Sequence, residues 1–131
     1  MNITVEHIGV PACNAAALRD WYVAKLGATC LKPLGEEPPF FIRPPGSVAM
    51  FEIYQATGAN PVTEDNGLAG WRHIALRVDS LEVARRELEA RGVNFIEPVK
   101  PATGGGRILF FKDGEGNLLH LVERPADTLV R

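Results

Sequence analysis

The chain has 131 residues, 46% hydrophobic and 23% charged, which suits one globular domain with a real core. A formal net charge of −2 and a pI near 5.9 leave no electrostatic footprint for nucleic acid or for an anionic membrane surface. No apolar run approaches the roughly 18 residues needed to span a bilayer, and MNITVEHIGV lacks the cationic start of an export signal, so a cytoplasmic location is expected. Cys13 and Cys30 are too few for a disulfide framework and are expected to be reduced thiols. The absence of any Cys-x-x-Cys pair removes thiolate zinc sites and thioredoxin-type redox chemistry.

In chain order, Ile3–Val10 alternates apolar and polar residues and predicts a strand. A helix follows from an Asn14 cap to Leu26, with Leu18, Trp21, Tyr22 and Leu26 on its core face and Gly27 as its stop. Short strands are expected at Ala28–Leu31, Phe40–Arg43 and Val48–Tyr54, separated by proline-rich turns. Gln55–Gly70 reads as a polar linker. The pattern then restarts with a strand at Arg72–Val78 and a Ser80-capped helix carrying Leu81, Ala84 and Leu88 on one face, ended by Gly92. Strands are expected at Val93–Ile96, Arg107–Lys112 and Leu118–Val122, the last two joined by the turn Asp113–Asn117. Lys100–Gly106, with three successive glycines, predicts a mobile loop forming a flexible rim. It does not open a helix and lacks the Gly-Lys-Ser/Thr ending of a phosphate cradle. The tail from Arg124 carries no signal.

One strand–helix–strands unit is thus written twice, and the three histidines follow the repeat. His7 and His73 lie in the first strand of each copy. Glu52 follows His7 by 45 residues, and His120 follows His73 by 47, each in the last strand of its copy. Strand alternation puts Ile8, Val10, Phe51, Ile53, Ile74, Leu76, Val78, Leu119 and Leu121 toward the helices, so His7, Glu52, His73 and His120 project from the opposite face. A curved sheet built from both copies would bring the four into one cleft.

Each residue also has a plainer reading. A histidine in an apolar strand is usually a hydrogen-bonded structural residue, and Glu52 could form a salt bridge to Arg77 or Arg107. A half-buried carboxylate in MFEIY nonetheless needs a cation or donors beside it. Three imidazoles and one carboxylate suit a divalent transition metal (Zn, Ni, Co, Mn or Fe) and fit Ca or Mg poorly. Arg77 shares the cleft-facing parity of His73 and is a candidate for holding an anionic substrate group. Trp21 and Tyr22 match helical core spacing, and Cys13, with no partner base, reads as inert.

With these residues in hand, the chain resembles the vicinal oxygen chelate (VOC) superfamily, which includes glyoxalase I, fosfomycin-resistance proteins, methylmalonyl-CoA epimerase, extradiol dioxygenases and bleomycin-resistance proteins. The resemblance runs from Ile3 to Glu123 and rests on His7-Ile8-Gly9-Val10, Trp21-Tyr22 with Leu26-Gly27, Met50–Tyr54, His73-Ile74-Ala75-Leu76 with Val78-Asp79, and Asp113 with Gly116–Glu123. It implies an α+β fold of two tandem βαβββ modules forming a curved mixed sheet with a metal-binding cleft. Module one would span about 1–56, the linker 57–70 and module two 71–123, in a single domain covering 1–131. It implies one divalent metal held by His7, Glu52, His73 and His120, with Glu52 and His120 as proton-transfer residues. A small-molecule substrate chelated through vicinal oxygens and a homodimer are the expected partners.

Departures from better-known members shape the expected activity. The last ligand position is usually Glu, and here it is His120. Pro11 and Ala56 stand where glyoxalase I-like chains carry the Arg and Asn that serve glutathione, and no further histidine exists to act as the extra catalytic base of an extradiol dioxygenase. The expectation is a metal-dependent lyase or isomerase. A non-catalytic small-molecule binding or resistance protein, and an Fe(II) extradiol-type oxygenase using His7, His73 and Glu52, are the alternatives. Specificity is expected in the loops Lys32–Pro39, Gln55–Gly70 and Lys100–Gly106.

Overall fold

A computed structural model describes residues 1–31 and 36–128. The chain forms two compact units, Met1–Pro61 and Val62–Arg131.

The first unit contains β1 (His7–Ala12), α1 (Ala15–Leu26), β2 (Thr29–Cys30), β3 (Phe40–Arg43) and β4 (Met50–Gln55). Its sheet has the order β1-β4-β3-β2, with β1 parallel to β4 and the remaining pairs antiparallel. The Asn14 side chain accepts the Ala17 N–H at 3.0 Å, and Gly27 at φ 68° closes the helix with bonds back to Tyr22 and Val23. Leu18 and Tyr22 on α1 bury against Phe40, Ile42, Phe51 and Ile53, the inward residues of β3 and β4. Each such side chain contributes roughly 1.5–3 kcal/mol by leaving water.

The second unit repeats the plan with β5 (His73–Arg77), α2 (Leu81–Ala90), β6 (Lys100–Pro101), β7 (Arg107–Lys112) and β8 (Leu118–Glu123), in the order β5-β8-β7-β6. Here β5 and β8 are parallel. Ser80 accepts the Val83 N–H at 3.3 Å, and the Glu123 carboxylate accepts the Leu81 N–H at 2.7 Å, so the helix start is tied to the end of β8. Leu81 and Leu88 meet Leu109, Phe111, Leu119 and Leu121 in the core. The α+β class and the two βαβββ modules are as expected, in two four-stranded sheets, one per unit.

Several expectations need correction. Ile3–Glu6 is not strand, because β4 begins at Met50, whose N–H bonds the Glu6 carbonyl at the first rung of the ladder. Val93–Ile96 is not strand either. Two of its apolar residues pack as irregular chain instead, with Val93 buried and Phe95 against Phe111 at 5.3 Å between ring centroids, while Ile96 is exposed. The strand lies later, at Lys100–Pro101, on the sheet edge where a proline is tolerated. Trp21 is only half-buried, while Tyr22 is core.

The glycine loop is not a mobile rim. Ala102 and Gly106 bond across it, Arg124 donates to the carbonyls of Thr103 and Gly105, and Thr128 donates to that of Gly104. The tail therefore has a role, since Arg124 and Thr128 fasten this loop. Residues 32–35 of the expected Lys32–Pro39 loop lie outside the described residues.

Candidate functional site

In the first unit, the parallel pairing of β1 with β4 sets Gly9 opposite Glu52 and puts His7 one step away on the same face. His7 Nε2 lies 3.2 Å from Glu52 Oε2, with both side chains partly exposed. On the other side of the ring, His7 Nδ1 lies 3.4 Å from Glu6 Oε1. A neutral imidazole carries one N–H and one lone pair. With its hydrogen on Nε2 the ring would donate to Glu52, and the pair as a whole presents one nitrogen and one carboxylate donor. Phe41, paired with Glu52 across β3, stands edge-on to His7 at 5.5 Å. Glu52 thus finds its partner in His7. Arg107, in the second unit, is held by Glu82 and Glu123.

In the second unit the His73 and His120 rings are 4.7 Å apart. Phe110, paired with His120 across β7, lies 4.8 Å from His120 and 5.8 Å from His73. His73 Nδ1 is 2.7 Å from Asn66 Oδ1. His120 is only 8% exposed, and its buried Nδ1 has no hydrogen-bond partner among the described residues. Burial, then electrostatic repulsion from the neighbouring His73 and Arg124, push the His120 pKa down to about 4. Its imidazole is therefore neutral at pH 7, with a lone pair available.

The repeat extends one residue further than the sequence revealed. His7, Glu52 and Phe41 correspond in strand position to His73, His120 and Phe110. The doublets Phe40-Phe41 and Phe110-Phe111 hold the missed signal. One phenylalanine of each points to the core and the other to the opposite face, by strand alternation. Tyr54 was also missed. A Cβ on Gly9 would come within 3.3 Å of its ring, so Gly9 leaves room for Tyr54 to lie across β1 on the Glu52 side. Arg77 is exposed on β5, four residues from His73 on the same face, and makes no ion pair among the described residues.

The structure therefore joins His7 to Glu52 and His73 to His120. No group of three or more His, Cys, Asp or Glu side chains is arranged to hold a metal among the described residues. The donor chemistry of each pair nonetheless suits a divalent transition metal. The His7–Glu52 pair offers an imidazole beside a carboxylate, and His120 offers a neutral imidazole whose buried Nδ1 has no hydrogen-bond partner among the described residues.

The sequence model of the Glyoxalase/Bleomycin resistance protein/Dioxygenase superfamily matches residues 4–121. No curated protein matches the sequence. Among solved structures, TnmS3, an antibiotic binding protein from Streptomyces sp. CB03234, is 25% identical with a TM-score of 0.71, covering 95% of this chain and 99% of that one. A glyoxalase family protein from Enterococcus faecalis is 26% identical, with a TM-score of 0.71 over 92% of this chain and 97% of its own. FosX, a genomically encoded fosfomycin resistance protein from Listeria monocytogenes, shares the fold at 17% identity, with a TM-score of 0.72 over 97% of this chain and 95% of that one.

Proposed function

Because the chain belongs to the Glyoxalase/Bleomycin resistance protein/Dioxygenase superfamily, we propose that it is a metal-dependent, glyoxalase-like lyase or isomerase acting on a small substrate with vicinal oxygens. In this reading His7, Glu52, His73 and His120 together hold one divalent transition metal. The two pairs would meet within one chain or between two. When bound, such an ion would supply Lewis-acid polarisation of substrate oxygens. Glu52 is the carboxylate that accepts a proton from substrate, with His120 as the second candidate for proton transfer. Arg77 provides a cation for an anionic substrate group. The carrying observation is the 3.2 Å approach of His7 Nε2 to Glu52 Oε2, repeated at the corresponding positions by two imidazoles.

A non-catalytic small-molecule binder is the second reading. It is favoured by the likeness to the antibiotic binding protein TnmS3 and by clusters that stop at two donors each among the described residues. Elemental analysis of the purified protein separates the two. One transition metal for each set of four ligands, with turnover of an α-hydroxycarbonyl or related compound that is lost on chelation, supports the enzyme. Metal-free protein that binds such compounds without turning them over supports the binder. The same reading includes a homodimer, since β1 and β5 are edge strands of their sheets. Light scattering should give twice the 14.3 kDa chain mass, and a value of one chain mass would remove the dimer.

A further inference from the structure

We infer that Asn66 is the positioning residue of His73: it fixes the neutral ring with its hydrogen on Nδ1 and turns the Nε2 lone pair outward for a ligand. Asn66 belongs to the Val62–Gly70 segment, part of the polar linker Gln55–Gly70 that the sequence marks as a specificity loop without singling out a residue in it. The segment is fastened to its own unit. Thr63 Oγ1 donates to the Gly116 carbonyl at 3.3 Å, and Glu64 pairs with Lys112 at the end of β7. Next to Asn66, the Gly67 N–H donates to Asp65 Oδ1 at 2.9 Å, closing an Asx turn. A backbone held on both sides of Asn66 delivers its amide oxygen to 2.7 Å from His73 Nδ1.

An amide oxygen only accepts, so the shared hydrogen must belong to Nδ1. The isolated histidine side chain prefers its hydrogen on Nε2, so this contact reverses the default. Once Nδ1 is committed to Asn66, Nε2 has no hydrogen and carries the lone pair. Ligating histidines commonly have their other nitrogen tied in this way, which sets both tautomer and ring orientation. Among the described residues the corresponding His7 has no equal device, since its Nδ1 meets Glu6 only at 3.4 Å, long for a hydrogen bond. His73 is thus the better preorganised of the two first-strand histidines. Only the last step, delivery of Nε2 to a metal, rests on the function proposed above.

The test reads the tautomer directly. Metal-free, 15N-labelled protein at pH 8.5 is examined by two-bond 1H–15N correlation of the imidazoles, with His73 assigned by its loss in His73→Gln. The wild type should show the Nδ1–H pattern. Asn66→Leu should move His73 to the Nε2–H pattern, and Asn66→Asp, which keeps an acceptor, should retain the wild-type one. An Nε2–H pattern in the wild type, or an unchanged pattern in Asn66→Leu, overturns the inference. Zinc titration then tests the last step, with Asn66→Leu binding about 10- to 100-fold more weakly than wild type and Asn66→Asp at least as tightly as wild type. Equal zinc affinity in wild type and Asn66→Leu overturns that step. A wild type with the Nδ1–H pattern that binds no zinc would sink the metal reading and leave the assignment of Asn66 standing.

Discussion

His120 lies against His73 with ring centroids 4.7 Å apart, and it is the buried member of the pair. The arrangement makes acid costly. Burial, then repulsion from His73 and Arg124, hold the His120 pKa at about 4, against 6.5 for the free side chain. At pH 7 the ring is neutral in both folded and unfolded chains and contributes nothing to the pH dependence. Below 6.5 the unfolded chain takes up a proton that the folded one refuses, so stability falls as pH drops and levels off near pH 4. From pH 7 to pH 5 the loss should be roughly 2 kcal/mol in metal-free protein. Urea denaturation at the two pH values, compared with His120→Leu, measures it. A variant that loses as much stability as wild type would remove His120 as the source.

How far this site could be read from sequence differs by element. His7, Glu52, His73 and His120 stood out because strand alternation has a period of two and each lies in an apolar-alternating run. Asn14, Gly27 and Ser80 were legible as caps for the same kind of local reason. Asn66 was not, because a loop has no period to betray which side chain it presents. Val93–Ile96 misled because the apolar residues of a segment packed under a helix look like those of a strand. The missing information was the ladder partner, and only tertiary structure supplies it. The order of Thr103–Gly106 depends on Arg124 and Thr128, some 20 residues away, which no local pattern could announce.

Gly106 has no room for a side chain. A Cβ there would come within 2.0 Å of the Glu123 carbonyl oxygen, and its φ of +93° already disfavours any other residue. Gly106→Ala must displace the backbone at the end of β8 and should cost about 2–4 kcal/mol. Gly46→Ala is the control. It has a comparable φ of +72° with nothing within 4 Å, so it should cost only about 1 kcal/mol. Thermal denaturation of both variants checks the difference, and equal losses would show that the close approach to Glu123 is relieved cheaply.

Arg77 separates binding from folding. It is exposed on β5 and unpaired among the described residues, so Arg77→Met should leave the melting temperature within about 2 °C of wild type. For a substrate with an anionic group, the same change should raise KM by about ten-fold or more through loss of one charged hydrogen bond. Substrates without an anionic group should be unaffected. Identical kinetics on both classes would return Arg77 to the role of a solvated strand arginine.

Glu52→Gln tests the carboxylate itself. The His7–Glu52 pair is partly exposed on both sides, at 37% and 28%, so its contribution to stability is small, below about 1 kcal/mol. Glutamine keeps the size and the oxygen but loses the negative charge and the ability to accept a proton from substrate. In the proposed enzyme it should therefore abolish turnover, leave the fold intact and leave some metal bound, because three imidazoles remain. His120→Ala makes the contrasting case, removing a neutral donor from the other unit and weakening metal binding. Activity and metal content measured on the two variants together give the answer. Full activity in Glu52→Gln would end the case for Glu52 as the base, and unchanged metal affinity with full activity in His120→Ala would reduce His120 to a buried strand histidine packed on Phe110.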